Sequence, residues 1–135
     1  ANKGGQFGEL KKVASGGELS RIMLAIKKVM SENSQLPTII FDEIDSGVSG
    51  EISNKMAHIM SQMSQQMQVI TITHLPQIAA KGNQHYKVYK EELNNTTTTS
   101  LKQLSEDERI VEIAEMLSGK NISDSALTHA RELLN

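Results

Sequence analysis

The run Thr38-Ile39-Ile40-Phe41-Asp42-Glu43 is short, continuously apolar and rich in β-branched residues, and it ends abruptly in two adjacent carboxylates. This composition predicts a strand that is buried on both faces of a parallel sheet. A second run of the same type, residues 69–73, ends at His74. Because ligands bind beyond the carboxyl ends of strands in open α/β sheets, the polar residues after both runs are candidates for a functional site.

Amphipathic patterns flank the two strands. Ser15 and Glu18 form a capping-box pattern that opens a helix, and further helices are predicted over residues 51–66 and 77–81. This alternation predicts βαβ units, and therefore an α/β fold in which a mostly parallel sheet is flanked by helices. On the first helix, one stripe is expected to face the core: Leu19, Ile22, Met23, Ile26, Val29 and Met30.

Different secondary structure is predicted for the two ends of the chain. Residues 1–14 look like a loop followed by a short extended piece. Towards the C-terminus, two polar strands are predicted near residues 85–91 and 96–104, with Asn94-Asn95 as the turn. Two helices follow: the first is capped by Ser105 with Glu108 and ended by Gly119, and the second opens at residue 123 or 124.

Composition narrows the class of protein. The 135 residues are enough for one domain with a modest core, and 14 Lys+Arg against 16 Asp+Glu do not indicate a strongly basic nucleic-acid-binding surface. The absence of cysteine excludes disulfides, thiolate zinc sites and a cysteine nucleophile. No apolar run approaches the roughly 20 residues of a membrane span. An intracellular protein is expected, cut from something longer because the chain starts without Met.

Three features could carry chemistry, and each has an ordinary alternative. Asp42 and Glu43 could divide the work of phosphoryl transfer, one holding Mg²⁺ and the other polarising a water, or they could form a simple acidic loop. Gly16 and Gly17 could let backbone N–H groups approach an anion, or they could belong to an ordinary helix start. His74 at a strand end is most often a plain surface or core residue.

The order and spacing of these features resemble the C-terminal lobe of an ABC-type ATPase head. The resemblance implies a signature motif that contacts the ATP bound to the opposite head, at Ser15, Gly16, Gly17 and Glu18. It implies that Asp42 is the Walker B residue that holds Mg²⁺ through water.

The same resemblance implies roles for the residues after the Walker B aspartate. Glu43 would be the catalytic base, and His74 the switch residue that senses the γ-phosphate. A D-loop that crosses the dimer interface would be formed by Asp45, Ser46 and Gly47.

Glu18 and Ile44 favour the SMC-like DNA repair and chromosome proteins over ABC transporters. Within these, residues 14–27, 41–50, 73–80 and 107–119 closely resemble the RecN family of bacterial DNA repair proteins. That family implies a cytoplasmic, nucleoid-associated protein, with no membrane partner, that acts in double-strand break repair and recombination. Its heads dimerise with ATP, and DNA is bound through the full-length protein. The alternatives are another SMC-like or ABC head, or an inert interaction module.

One expected motif is missing. No segment fits the phosphate-binding pattern Gly-x-x-x-x-Gly-Lys-Ser/Thr. Residues 1–135 are therefore interpreted as a single partial domain, whose N-terminal lobe and coiled coil lie elsewhere. ATP and Mg²⁺ are expected in the complete head but not on this chain alone, which is expected to be inactive. The sheet side that would face the other lobe is expected to be apolar and to promote self-association.

Overall fold

A computed structural model describes residues 16–33 and 36–135. It separates two compact units, of which the first ends at Thr73 and the second spans His74–Asn135. The first unit contains α1 (Gly16–Asn33), β1 (Thr38–Asp42), α2 (Gly50–Met63) and β2 (Gln68–Ile72). The second contains α3 (Pro76–Ala79), β3 (Tyr86–Leu93), β4 (Thr96–Gln103), α4 (Glu106–Ser118) and α5 (Asp124–Leu134). The predicted loop and extended piece over residues 1–14 fall outside the described residues.

The first unit is built around the parallel pair of β1 and β2, joined through α2. The register places Phe41 opposite Thr71 and Asp42 opposite Ile72, so both strands end at the same edge. Ile39 and Phe41 are buried, and Thr71 donates to the sulfur of Met60 on α2 at 3.7 Å. The predicted parallel strands and the helix between them are confirmed.

The opposite face of this strand pair is open. Side chains alternate along a strand, and Ile40 is 56% exposed where Ile39 and Phe41 are buried. Its register partner Ile70 is 42% exposed, and Ile72 is exposed as well. The prediction that β1 is buried on both faces is therefore wrong for the described part of the chain, in which β1 has one buried and one exposed face.

Helix α1 also turns a different face inward from the one predicted. Leu24 is buried, with 1% of its surface exposed, although it lies outside the predicted stripe. Members of that stripe whose side chains are described are exposed: Ile22, Met23, Ile26, Val29 and Met30. The prediction is wrong at these positions because α1 carries apolar residues on more than one face, and periodicity does not say which face meets a neighbour.

In the second unit, β3 and β4 form an antiparallel hairpin whose turn was predicted. Leu93 pairs with Thr96, and the two intervening asparagines have φ values of 51° and 60°. Positive φ at both central residues is the requirement of a type I′ turn, and asparagine tolerates it better than most residues. The hairpin and its Asn94-Asn95 turn are confirmed.

Helices α4 and α5 pack together with α3 through small side chains. The buried cluster consists of Ala80, Ile113, Ala114, Ala126 and Ala130. Ser105 and Glu108 form the predicted capping box, and Gly119 ends α4 with a φ of 78°. Ser123 caps α5 by accepting from the backbone N–H of Ala126. Local capping chemistry therefore sets the ends of both helices, as the sequence predicts.

Candidate active site

Two carboxylates stand at the carboxyl edge of the strand pair, as expected from the sequence. Asp42 is the last residue of β1, Glu43 follows it, and both are exposed. The backbone N–H of Glu43 donates to the carbonyl of Ile72 at 2.9 Å. This hydrogen bond extends the contact between the two strand ends by one residue beyond β1.

Glu43 has an unusual backbone conformation. Its φ is 46°, in the left-handed region, where a residue with a Cβ is disfavoured by about 1–2 kcal/mol. Such conformations persist when the surrounding structure holds them, and they are concentrated at functional sites. The conformation turns the chain sharply after β1 and presents the Glu43 carboxylate to solvent beside the strand end.

The turn after Glu43 is closed by local hydrogen bonds. Ser46 N–H donates to the Glu43 carbonyl at 3.3 Å, and Val48 N–H donates to the Asp45 carbonyl at 3.1 Å. Gly47 has a φ of 74°, which favours glycine even though a Cβ would meet no atom within 4 Å. Ser46 and Gly47 are exposed.

Asp45 differs from its neighbours in the turn because its side chain is buried, with 1% of its surface exposed. Its Oδ2 accepts a hydrogen bond from the hydroxyl of Thr73, one residue beyond β2. Its Oδ1 has no hydrogen-bond partner among the described residues. Of the three predicted D-loop residues, Ser46 and Gly47 are available at the surface, whereas the Asp45 side chain points inward.

Thr73 was not singled out from the sequence. The signal that could have found it is the parallel register: once Asp42 is paired with Ile72, the next residues of both strands must also lie close together. Hydrogen bonding between residues 28 positions apart has no local sequence pattern.

The other predicted site residues are placed less fully. Gly16 and Gly17 begin α1, and Glu18 lies exposed in its first turn, whereas Ser15 lies outside the described residues. His74 is exposed and is the first residue of the second unit, two positions beyond the end of β2. Asp42, Glu43 and the predicted D-loop turn thus lie in one unit, while His74 belongs to the other.

The donor set fits Mg²⁺ in one particular way. Among the described residues, no group of three or more His, Cys, Asp or Glu side chains could enclose a metal ion. An exposed carboxylate such as Asp42 suits Mg²⁺ that keeps several waters and is shared with substrate phosphates, because this ion is rarely held by protein ligands alone.

The helices in the described part of the chain include none with the length and hydrophobicity that a membrane span requires.

Individual curated proteins, rather than family models, show which family the chain belongs to. No family model matches the sequence. The chain is 47% identical over 134 residues to the DNA repair protein RecN of Deinococcus radiodurans, covering 99% of this chain and 23% of that protein. RecN of Bacillus subtilis is 46% identical over 133 residues, covering 98% and 23%. The chain belongs to the RecN family.

RecN proteins are much longer than this chain. The chain spans about a quarter of the length of the curated RecN proteins it matches, including that of Haemophilus influenzae at 43% identity and 24% coverage. The predicted resemblance to the RecN family is confirmed.

Two solved structures identify the fold of this RecN segment. One comes from work on ATP-driven dimerisation and DNA-stimulated activation of SMC ATPases, with a TM-score of 0.63 and 20% identity over 79% of this chain and 64% of that one. The other is the SMC head domain from Thermotoga maritima, with a TM-score of 0.54 and 22% identity over 69% and 35%. The predicted α/β fold of an SMC-like head is confirmed.

Proposed function

We propose that this chain is the C-terminal lobe of an ATPase head in a RecN-type protein of DNA double-strand break repair and recombination. The observation that carries the proposal is Glu43, an exposed carboxylate in a left-handed conformation at the end of β1, tied to the end of β2. Membership of the RecN family and an SMC-like head fold support it.

The carboxylates at this edge would have separate roles. Glu43 is the base that accepts a proton from the attacking water. Asp42 would hold, through water, Mg²⁺ that would supply positive charge at the phosphates. The exposed His74 is the residue that senses the γ-phosphate. These assignments follow the order of the residues along the chain, in which each lies at, or just beyond, the carboxyl end of a parallel strand.

The remaining residues would act across two heads. The start of α1, where Gly16 and Gly17 precede Glu18, presents backbone N–H groups to the ATP on the opposite head. Ser15 completes this signature. Ser46 and Gly47 are exposed on the D-loop and meet the second head, while Asp45 supports them from within. The partners are therefore a second head of the same protein, the lobe that carries the Walker A loop, and DNA through the whole protein.

This division of the site predicts that the 135 residues alone do not turn over ATP. Their sequence contains no Gly-x-x-x-x-Gly-Lys-Ser/Thr run to bind the phosphates. A direct test replaces the aligned segment of full-length Bacillus subtilis RecN with this chain. The chimaera should show magnesium-dependent ATP hydrolysis, and Glu43→Gln should lower its kcat by about 10²–10⁴-fold, the usual contribution of one positioned base.

Glu132→Gln is a matched control, because Glu132 is an exposed carboxylate on α5 in the second unit. It should leave kcat unchanged. Equal turnover by the Glu43→Gln and unsubstituted chimaeras would refute the role of Glu43. A chimaera that binds its partners but hydrolyses no ATP would favour an interaction module, and rapid hydrolysis by the 135-residue chain alone would refute the division of the site.

A further inference from the structure

We infer that Asp45 and Thr73 form a positioning pair that holds Glu43 in its left-handed conformation. The catalytic consequence of this inference rests on the proposed function, but the positioning itself does not. Thr73 has no other assigned role, and Asp45 would act through the backbone of Glu43 rather than through contact with nucleotide.

The geometry consists of two adjacent attachments between the same two segments. On one side, Glu43 and Asp45 belong to the turn that follows β1; on the other, Ile72 is the last residue of β2 and Thr73 follows it directly. Glu43 N–H donates to the Ile72 carbonyl, and the Thr73 hydroxyl donates to the Asp45 carboxylate. The turn is thereby fixed to β2 at two points, with Glu43 at the first of them.

The attachment at Asp45 is the more sensitive of the two. A buried carboxylate is costly unless hydrogen bonds compensate for the lost water. Asp45 is almost fully buried, and its Oδ1 has no partner among the described residues, so the carboxylate depends on the Thr73 hydroxyl at Oδ2. Without that donor, Asp45 gains by moving towards water, and this movement would pull on the turn that holds Glu43.

Because the backbone of Glu43 is strained, loss of the Asp45–Thr73 hydrogen bond is expected to affect Glu43 in particular. The left-handed conformation is disfavoured for glutamate, so the backbone relaxes from it once the turn is free to move. Relaxation would break the Glu43–Ile72 hydrogen bond and move Glu43 away from the end of β2. The pair is therefore expected to affect how often Glu43 is correctly placed, and not how tightly nucleotide is bound.

Hydrogen exchange of the 135-residue chain tests the positioning directly. Thr73→Val keeps the shape of the side chain but removes the donor, and it should speed exchange of the Glu43 amide about 3- to 10-fold, the effect expected for one lost hydrogen bond. Thr73→Ser keeps the hydroxyl and should change exchange less than about 2-fold. The Arg109 amide, which donates to Ser105 at 2.8 Å in the second unit, should exchange at the same rate in all variants.

A double substitution tests whether the two residues act together. Asp45→Ala should speed exchange of the Glu43 amide as Thr73→Val does, and the two combined should have no larger effect than either alone, because they remove the same interaction. Additive effects, or an unchanged Glu43 amide in Thr73→Val, would overturn the inference. Thermal unfolding of the Thr73→Val and Thr73→Ser chains checks that both variants are folded.

Kinetics of the chimaera then separate the inference from the function on which it rests. Thr73→Val should lower kcat by no more than the fold-change in exchange, because kcat follows the fraction of heads in which Glu43 is correctly placed, and the KM for ATP should change less than about 2-fold. If Glu43→Gln abolishes turnover while Thr73→Val changes neither kcat nor exchange, the positioning role fails and the proposed function stands. If the chimaera is inactive while Thr73→Val still speeds exchange of the Glu43 amide, the proposed function fails and the positioning role stands.

Discussion

At the scale of single residues, the left-handed backbone conformation of Glu43 has an energetic cost. Glycine adopts a φ of 46° without the steric penalty of a Cβ, whereas a β-branched residue tolerates it worst. Glu43→Gly is therefore expected to raise the free energy of unfolding of the first unit by up to about 1 kcal/mol, and Glu43→Val to lower it by about 1–2 kcal/mol. Urea unfolding of the 135-residue chain measures both changes.

The control for this prediction is the same type of substitution in a helix. Ser61 is exposed in α2 of the same unit, and Ser61→Gly should lower the free energy of unfolding by about 0.5 kcal/mol, because glycine is a poor helix former. Opposite signs at positions 43 and 61 would establish the left-handed conformation in solution. If both glycine variants are destabilised, Glu43 does not hold that conformation.

At the scale of elements, what the sequence predicts best is what short-range chemistry determines. The capping box of Ser105 and Glu108 and the turn at Asn94-Asn95 involve residues a few positions apart, so their patterns are visible in the chain. The burial of Leu24 and the exposure of Ile40 depend on which neighbour packs where, and both strand and helix are apolar on more than one face. Periodicity cannot choose between such faces.

The same distinction between short-range patterns and long-range packing applies to the candidate site. Asp42 and Glu43 were predictable because the apolar run before them requires a strand, and a strand end must carry them. The inward direction of Asp45 and its bond to Thr73 were not, because they depend on the parallel register that brings residues 45 and 73 together. The sequence therefore predicts which residues stand at the edge but not how they are held.

A half-buried histidine, His85, precedes β3 and has a consequence for pH dependence. His85 Nδ1 has no hydrogen-bond partner among the described residues. Burial lowers the pKa of His85 from 6.5; Arg109 and Lys87 lower it further, and Glu112 opposes them. The unfolded chain then binds a proton more readily than the folded one, so the stability of the second unit should be complete above pH 6.5 and fall as the pH drops through 6.5.

His85→Gln removes this proton and should flatten the loss of stability between pH 7.5 and 5.5, measured by thermal unfolding of the chain. His129→Gln is the control, because His129 is an exposed histidine on α5 in the same unit. It should leave the pH profile as in the unsubstituted chain. A profile that is equally steep with His85→Gln would show that His85 does not account for the acid sensitivity.

At the scale of the whole molecule, the first unit exposes an apolar surface that a single copy leaves in water. The open sheet face consists of Ile40, Ile70 and Ile72, and Ile40 lies directly opposite Ile70 in the register. Apolar surface exposed in this way favours association in proportion to the area that a second copy would cover. We therefore expect the 135-residue chain to self-associate reversibly without ATP as its concentration rises.

The chain offers a matched pair for testing which surface is responsible. Replacing Ile40 and Ile70 with threonine keeps a residue suited to strands but removes apolar area, and it should weaken self-association at least about 10-fold. Val88 and Leu101 are likewise register partners, 64% and 66% exposed on the hairpin of the second unit. If the open sheet face forms the contact between copies, their replacement by threonine should leave the association constant unchanged.

Light scattering across a wide concentration range measures the association of all three chains. A monomer at every concentration would show that the open sheet face is too small or too well hydrated to hold two copies together. An equal effect of both threonine pairs would indicate non-specific hydrophobic association. A selective effect at Ile40 and Ile70 would mean that a partner covering this face in a longer protein competes with self-association, since the same apolar area cannot be buried twice.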